Sequence, residues 1–237
     1  MEKKILGILG GMGPEASEVF YHKIINATHA SKDQDHLDIL LWSHASIPDR
    51  TAMIKAGKTE ALWQVFEKDI QCMKAFGIDY LAVPCNTSHY FANRMDEAME
   101  HHFINMITCA ADHAKVMGLT KVGILATDGT VEADLYGKAL RNNGMTCLYP
   151  DREYQQVVMS IIYDEIKKGE KGSLDKFENV LSHMKEKGCE AVILACTELS
   201  VLKMNYPTLH REFVIDAMDV LCEACITICG GEIKGDL

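Results

Sequence analysis

The sequence predicts an α/β protein built from two similar, doubly wound halves, and three observations carry that prediction. Short apolar runs alternate with longer stretches of helical periodicity along the whole chain. This alternation gives parallel sheets with helices on both faces. An internal repeat is visible, because Lys4-Ile5-Leu6-Gly7-Ile8-Leu9 is matched by Lys121-Val122-Gly123-Ile124-Leu125-Ala126. No Pro/Ser-rich linker or low-complexity segment separates the halves, and two repeats are too few for a solenoid.

The elements follow in order. A strand over Lys4–Leu9 leads through Gly10-Gly11-Met12-Gly13-Pro14 into a helix over Glu15–His29. A second strand, Leu37–Trp42, precedes the loop Ile47-Pro48-Asp49-Arg50-Thr51, and a helix over Glu60–Phe76 leads to the strand Tyr80–Val83. Helical spacing over His89–His101 and a strand over Phe103–Ile107 come next. The second half has strands Lys121–Ala126, Met145–Leu148, Ala191–Leu194 and Phe213–Ile215, with helices Thr130–Asn143, Tyr154–Lys168 and Leu174–Lys187. Gly169–Gly172 is a short helix–helix connection, and the last helix, Met218–Ile228, is expected to pack back on the first half. The expected domains are residues 1–101 plus 213–237, and residues 102–212. They are expected to be related by a pseudo-two-fold axis, with the active cleft between them.

Size and charge narrow the function. The chain has 237 residues, 48% of them hydrophobic, which is enough for a real core. It carries 24 Lys+Arg against 34 Asp+Glu, a formal charge of −10. That balance argues against nucleic acid, because phosphate binding needs clustered cations. Any anion site has to be made locally, from helix N-termini and a few basic side chains. No apolar run approaches the roughly 18–20 residues of a membrane span. The lysines at the start run straight into a strand pattern, so no signal peptide is expected. Nine cysteines, an odd number scattered through apolar segments, then indicate a reduced, cytoplasmic protein.

Two of those cysteines stand out. Cys85 ends the run Tyr80-Leu81-Ala82-Val83-Pro84, and Cys196 ends Ala191-Val192-Ile193-Leu194-Ala195. Polar residues follow each at once: Asn86-Thr87 after the first, Thr197-Glu198 after the second. The carboxyl end of a strand, just before a helix, is where open α/β sheets bind ligands. A helix N-terminus there can also lower a thiol's pKa. Two such thiols in one chain suit chemistry that removes a proton from one face of a carbon and returns one to the other. The plainer possibility is a buried strand-end cysteine, since free cysteine is among the most buried residue types. Cys72, Cys109, Cys147 and Cys189 read as core, and Cys222, Cys225 and Cys229 as a packed helical stripe. No second CxxC completes a zinc site and the histidines show no HExxH pattern, so no metal is expected.

The turns offer further candidates. Gly11-x-Gly13-x-x-Ala16 meets a loose dinucleotide fingerprint, but the second strand ends Trp42-Ser43-His44 without the acidic ribose partner. A better account is a turn whose bare backbone N–H groups approach a small anion, with Pro14 at the first helical position; a tight strand–helix turn explains the segment equally well. Thr127-Asp128-Gly129-Thr130 is the matching turn of the second half, where hydroxyls and amides can hold a carboxylate or Thr130 can simply cap a helix. Arg50 can grip a carboxylate bidentately, though a solvated loop arginine is the ordinary alternative. Lys167 and Lys168 close a helical segment, where lysines favour the helix dipole anyway.

Together these segments resemble the cofactor-independent aspartate/glutamate racemase family, nearest its aspartate racemase branch. The resemblance covers essentially the whole chain. It rests on Leu9–Pro14, Ile47–Thr51, Pro84–Phe91, Leu125–Thr130 and Ala195–Leu199. It implies two flavodoxin-like domains, a homodimer, and no pyridoxal phosphate, metal or nucleotide. It further implies that Cys85 and Cys196 are the acid/base thiols, serving the D and L enantiomers respectively. Met12, Asn86, Thr87, Thr127, Gly129, Thr130, Thr197 and Glu198 would bind a small dicarboxylic amino acid. Arg50 would meet its side-chain carboxylate, and Lys167, or Lys168 if the match shifts by one, would be a second basic group. Ala195 stands where glycine is usual and Ser200 where proline is common. The extra methyl of Ala195 bears on substrate preference more than on reaction type. The expected reaction is interconversion of L- and D-aspartate, with glutamate a further candidate. The rivals are a maleate-type cis–trans isomerase on the same fold and a non-catalytic amino-acid-binding protein.

Overall fold

A computed structural model describes residues 3–207, 209 and 212–234. The chain forms two compact units. One runs through Met106 and resumes at Met218, and the other is Ile107–Ala217.

The first unit holds a four-stranded parallel sheet ordered β2-β1-β3-β4, made of β1 (Ile5–Gly10), β2 (Asp38–Ser43), β3 (Tyr80–Ala82) and β4 (Phe103–Ile104). β1 is buried from Leu6 onward, as a continuous apolar run is when both faces of a parallel sheet are covered. The helix α1 (Pro14–Ala27) starts at Pro14, whose missing N–H costs nothing at that position. The short α2 (Arg50–Lys55) is capped by Asp49, whose carboxylate accepts the Ala52 N–H at 2.8 Å. α3 (Thr59–Ala75) turns Leu62, Trp63, Phe66, Ile70 and Met73 inward, and α4 (Ala92–Ala98) follows a 3-10 turn over Asn86–Phe91. Cys85 lies in the same apolar cluster as Met12, Ile47, Phe66, Val83 and Phe91.

The second unit repeats the plan. Its first helix, α5 (Met106–Val116), starts on the last residue before the unit boundary, and the unit contains β5 (Lys121–Ala126), α6 (Asp128–Glu132), α7 (Leu135–Asn142), β6 (Thr146–Leu148), α8 (Arg152–Ser160), α9 (Leu174–Glu186), β7 (Ala191–Ala195), α10 (Thr197–Asn205) and β8 (Val214–Asp216). The sheet order β6-β5-β7-β8 is the same 2-1-3-4 pattern, again parallel. The repeated glycine has one job in both halves. A Cβ on Gly7 would lie 2.5 Å from Ile78 and 3.0 Å from Met73, and one on Gly123 would lie 2.7 Å from Met184. Each glycine lets a helix side chain close onto the middle of its sheet. The last helix, α11 (Ala217–Ile228), returns to the first unit, where Asp219 pairs with Lys23 and the Lys4 N–H reaches the Cys229 carbonyl. Among the described residues no helix is long and apolar enough to cross a membrane.

Several expected elements shift. β4 hydrogen-bonds to β3 and β8 to β7, so the chain crosses between units at Met106/Ile107 and Ala217/Met218, beyond the expected 101/102 and 212/213. The expected strand Phe103–Ile107 stops at Ile104, and Met106 starts a helix that buries Met106, Ile107, Ala110, Ala111 and Ala114. The expected helix Thr130–Asn143 breaks at Asp134, which takes a left-handed conformation (φ 51°). Arg141 pairs with that carboxylate, and the Tyr149 hydroxyl donates to it at 3.0 Å. Cys72 is exposed on α3 rather than core, while Cys109 and Cys147 are partly buried. Cys222, Cys225 and Cys229 are fully buried along α11.

Candidate active site

Cys85 and Cys196 occupy equivalent places in the two units. Each follows the strand third in chain order, and each is the residue before a helical turn, in extended backbone: φ −154°, ψ 104° at Cys85 and φ −150°, ψ 130° at Cys196. Their exposures are 5% and 6%.

Cys85 shares its apolar cluster with Met12, Asn86 and Thr87 follow it in the chain, and these three and Arg50 are all buried. Arg50 is not a solvated loop residue. It opens α2, and its guanidinium donates to the carbonyls of Ile47, Pro48 and Met12, each at 3.2 Å. Met12 is held from its other end, where the Ser88 hydroxyl donates to its sulfur at 3.4 Å. The glycine turn is packed rather than bare. Gly11, at φ +89°, leaves no room for a Cβ, which would fall 2.4 Å from the His44 backbone. Its N–H donates to Ser17 Oγ at 2.8 Å. Gly11 therefore serves the approach of the His44–Ala45 loop, and its amide is not offered to an anion.

The second cysteine has a charged partner. The Cys196 thiol donates to Glu198 Oε2 at 2.9 Å, and Lys167 Nζ holds Glu198 Oε1 at 2.5 Å. Thr197 Oγ1 also faces Glu198, at 3.5 Å. Lys168 instead pairs with Asp164 at the surface, so Lys167 is the lysine joined to the thiol's network. Burial, with the Glu198 carboxylate behind it, pushes the Cys196 thiol well above the usual thiol range, and Lys167 offsets only part of this. The expected lowering by the helix N-terminus is overridden there. Tyr136, fully buried in α7, has its phenol pushed well up by burial and by Asp216, Cys109 and Cys196 nearby.

The turn after β5 is built as a cap, but three residues earlier than expected. Thr127, not Thr130, caps α6 by accepting the Thr130 N–H at 3.4 Å, and the two hydroxyls lie 3.3 Å apart. Gly129 is buried between them. The sequence did not single out His89. It lies four residues after Cys85, its ring is buried, and Nδ1 is 3.0 Å from the Cys85 carbonyl. The available signal was its place in the polar run Asn86-Thr87-Ser88-His89 directly after Cys85. A separate groove of about 880 Å³ runs between β2 and α3, lined by Trp42, His44, Asp69 and Phe76 among others, and its lining includes neither Cys85 nor Arg50.

The family described as Asp/Glu/Hydantoin racemase matches residues 9–225. The chain is 25% identical, over 210 residues, to the broad specificity amino-acid racemase RacX of Bacillus subtilis (strain 168), covering 84% of this chain and 87% of that one. It matches the solved structure of Picrophilus torridus aspartate racemase at 31% identity with a TM-score of 0.82, covering 98% of this chain and 96% of that one. A glutamate racemase from Francisella tularensis subsp. tularensis SCHU S4 shares the fold, with a TM-score of 0.67 at 16% identity over 96% of this chain and 81% of that one.

Proposed function

The chain belongs to the Asp/Glu/hydantoin racemase family and is an amino-acid racemase, and on that premise we propose that it interconverts L- and D-aspartate by proton transfer between Cys85 and Cys196. Glutamate is the second dicarboxylic candidate. The observation that carries this reading is the correspondence of the two thiols, each buried, extended and placed just before the helical turn that follows the third strand of its sheet, three residues after Ala82 for Cys85 and directly after Ala195 for Cys196.

In this reading one sulfur removes the Cα proton and the other returns a proton to the opposite face, so the protons balance without any cofactor. Cys196 rests as a thiol, because burial and Glu198 disfavour its thiolate. It is therefore the proton donor in one direction. In the other direction a thiolate formed beside Glu198 is a stronger base than an ordinary one, which suits it to a weakly acidic Cα–H. Arg50, a buried guanidinium fixed by three carbonyls, is the group suited to a carboxylate leaving water. With a net charge of −10, the protein as a whole does not attract such a substrate, so the attraction has to be local.

Exchange of Cα protons with D2O, followed by NMR over a panel of L- and D-amino acids, tests the reading. Wild-type protein should racemise and exchange aspartate best. Cys85→Ala and Cys196→Ala should each abolish racemisation while staying folded, although each can still exchange one enantiomer's proton. Full racemisation by either soluble variant would sink the two-thiol mechanism, and a preference for a monocarboxylic amino acid would sink the substrate.

A further inference from the structure

His89 is a buried polar residue to which the two-thiol chemistry gives no task. It stands on the 3-10 turn that begins at Asn86, and its ring is 3% exposed. Both ring nitrogens are engaged. The Met106 backbone N–H, which can only donate, points at Nε2 at 3.1 Å. Nε2 must therefore carry the lone pair and Nδ1 the proton, by the hydrogen-bond inventory of a neutral imidazole. That Nδ1–H donates to the Cys85 carbonyl at 3.0 Å. The Ser88 N–H donates to the same oxygen at 3.2 Å, so two donors from the following turn fix the Cys85 peptide plane. Phe103 packs against the ring, with centroids 5.3 Å apart. Burial depresses the imidazole to about 4, which keeps this one tautomer in place at neutral pH.

The ring thus spans two points that matter. One is the carbonyl of the thiol-bearing residue. The other is the first residue of α5, at the place where the chain leaves the first unit. An apolar ring would fill the same space without the cost of desolvating two nitrogens. What the imidazole adds is a fixed distance and direction between the Cys85 peptide and Met106.

We propose that His89 is a positioning residue for Cys85, clamping its carbonyl to the Met106 amide and so holding the sulfur in line for proton transfer. The proposal rests on the racemase reading above and goes beyond it, by assigning to one side chain the alignment of one of the two thiols. His89→Asn keeps an N–H donor near the Nδ1 position, His89→Gln keeps an acceptor near Nε2, and His89→Phe keeps neither.

The experiment measures three things for these variants: kcat and KM for aspartate, D2O exchange from each enantiomer separately, and the rate of iodoacetamide labelling at Cys85 and Cys196 by peptide mass spectrometry. We expect His89→Gln and His89→Phe to lose about tenfold or more in kcat with KM within about twofold, the scale of one lost alignment hydrogen bond. His89→Asn should recover most of that loss. Exchange of only one enantiomer should fall, and labelling should change at Cys85 while Cys196 keeps its wild-type rate. Equal kcat for the Asn and Gln variants would overturn the proposal. So would equal losses on both enantiomers, or labelling changes shared by both thiols. The labelling comparison needs no substrate. A wild type inactive on every amino acid would therefore remove the racemase reading and still leave the His89 clamp decided by the thiols.

Discussion

Acidification should cost this protein stability through one identifiable ring. The buried His89 imidazole has its pKa lowered from 6.5 to about 4, chiefly by burial. Protonation would place an N–H on Nε2, facing the Met106 N–H, and two donors would meet. The unfolded chain takes that proton at its ordinary pKa, while the folded chain resists it until about pH 4. The contribution of His89 to stability is therefore complete above about pH 6.5 and is lost as pH falls toward 4. A fall from 6.5 to about 4, at about 1.4 kcal/mol per unit, amounts to about 3 kcal/mol. Surface carboxylates titrate over part of the same range, so the measurement is a difference. Urea unfolding of wild type and His89→Gln, in steps from about pH 7.5 to about pH 4.5, isolates the histidine. Gln cannot take a proton, so its stability should fall less steeply, by up to about 3 kcal/mol at the acid end. Parallel curves for the two proteins would refute the reasoning, as would a His89 that titrates near 6.5 by NMR in the folded state.

Three other outcomes follow from the same geometry. Glu198→Gln should bring the Cys196 thiol down toward the ordinary range, and Lys167→Met should push it further up, because the carboxylate raises it and the ammonium lowers it; pH-dependent alkylation of Cys196 reads both, and shifts of the same sign would break the network. Gly11→Ala should destabilise the protein by more than about 2 kcal/mol, since a positive φ costs a non-glycine residue roughly 1–2 kcal/mol and the new Cβ meets backbone at 2.4 Å; a urea-derived loss below about 0.5 kcal/mol would show that the His44 loop gives way easily. Arg50→Ala should lower kcat/KM for aspartate about 10–150-fold, the equivalent of a hydrogen bond to a charged group, and leave alanine turnover little changed; equal losses on both substrates would assign the arginine to the fold.

The sheets were legible because their strands are unbroken apolar runs, and the repeat of Gly7 at Gly123 marked equivalent points in both. α5 was not legible. Met106 and Ile107 prolong the apolar run of β4, and the rest of its buried face is the small residues Ala110, Ala111 and Ala114, which give a weak helical signal. The break at Asp134 depends on Arg141 and on Tyr149, which lies beyond the helix, so no local pattern announces it. At the site, the strand-end placement of Cys85 and Cys196 can be read from the chain, and so can the buried polar residues just after them. The direction of the Cys196 shift cannot. A glutamate in a helix's first turn normally signals the dipole, and only the fold turns its carboxylate onto the thiol. His89 was hidden by the helical spacing it shares with its neighbours, although its first turn is 3-10 and its ring faces back to Cys85. The reason for Gly11 lay in a loop some thirty residues away, at His44–Ala45.

The run from α8 to Gly169 contains one further consequence. After Ser160 the helix widens into a π-helical turn over Ile161–Glu165, then tightens to a 3-10 turn over Ile166–Lys168. A π turn amounts to one residue more than the α-helical count, and one residue is worth about 100° of azimuth. The widening therefore sets the phase at which the chain reaches Lys167. It lets Ile161, Ile162, Glu165 and Ile166 stay buried while the next side chain swings to Glu198 and its neighbour faces solvent. Deleting a single residue within Ile161–Glu165 would restore an ordinary helix and rotate everything after it by a quarter turn or more. The ammonium would then leave Glu198 with every atom of the Cys196 strand untouched. In this chain the charge balance beside a thiol is encoded as a residue count in a helix some thirty residues earlier in the sequence, so a length change there would act on Cys196 as a substitution beside it does.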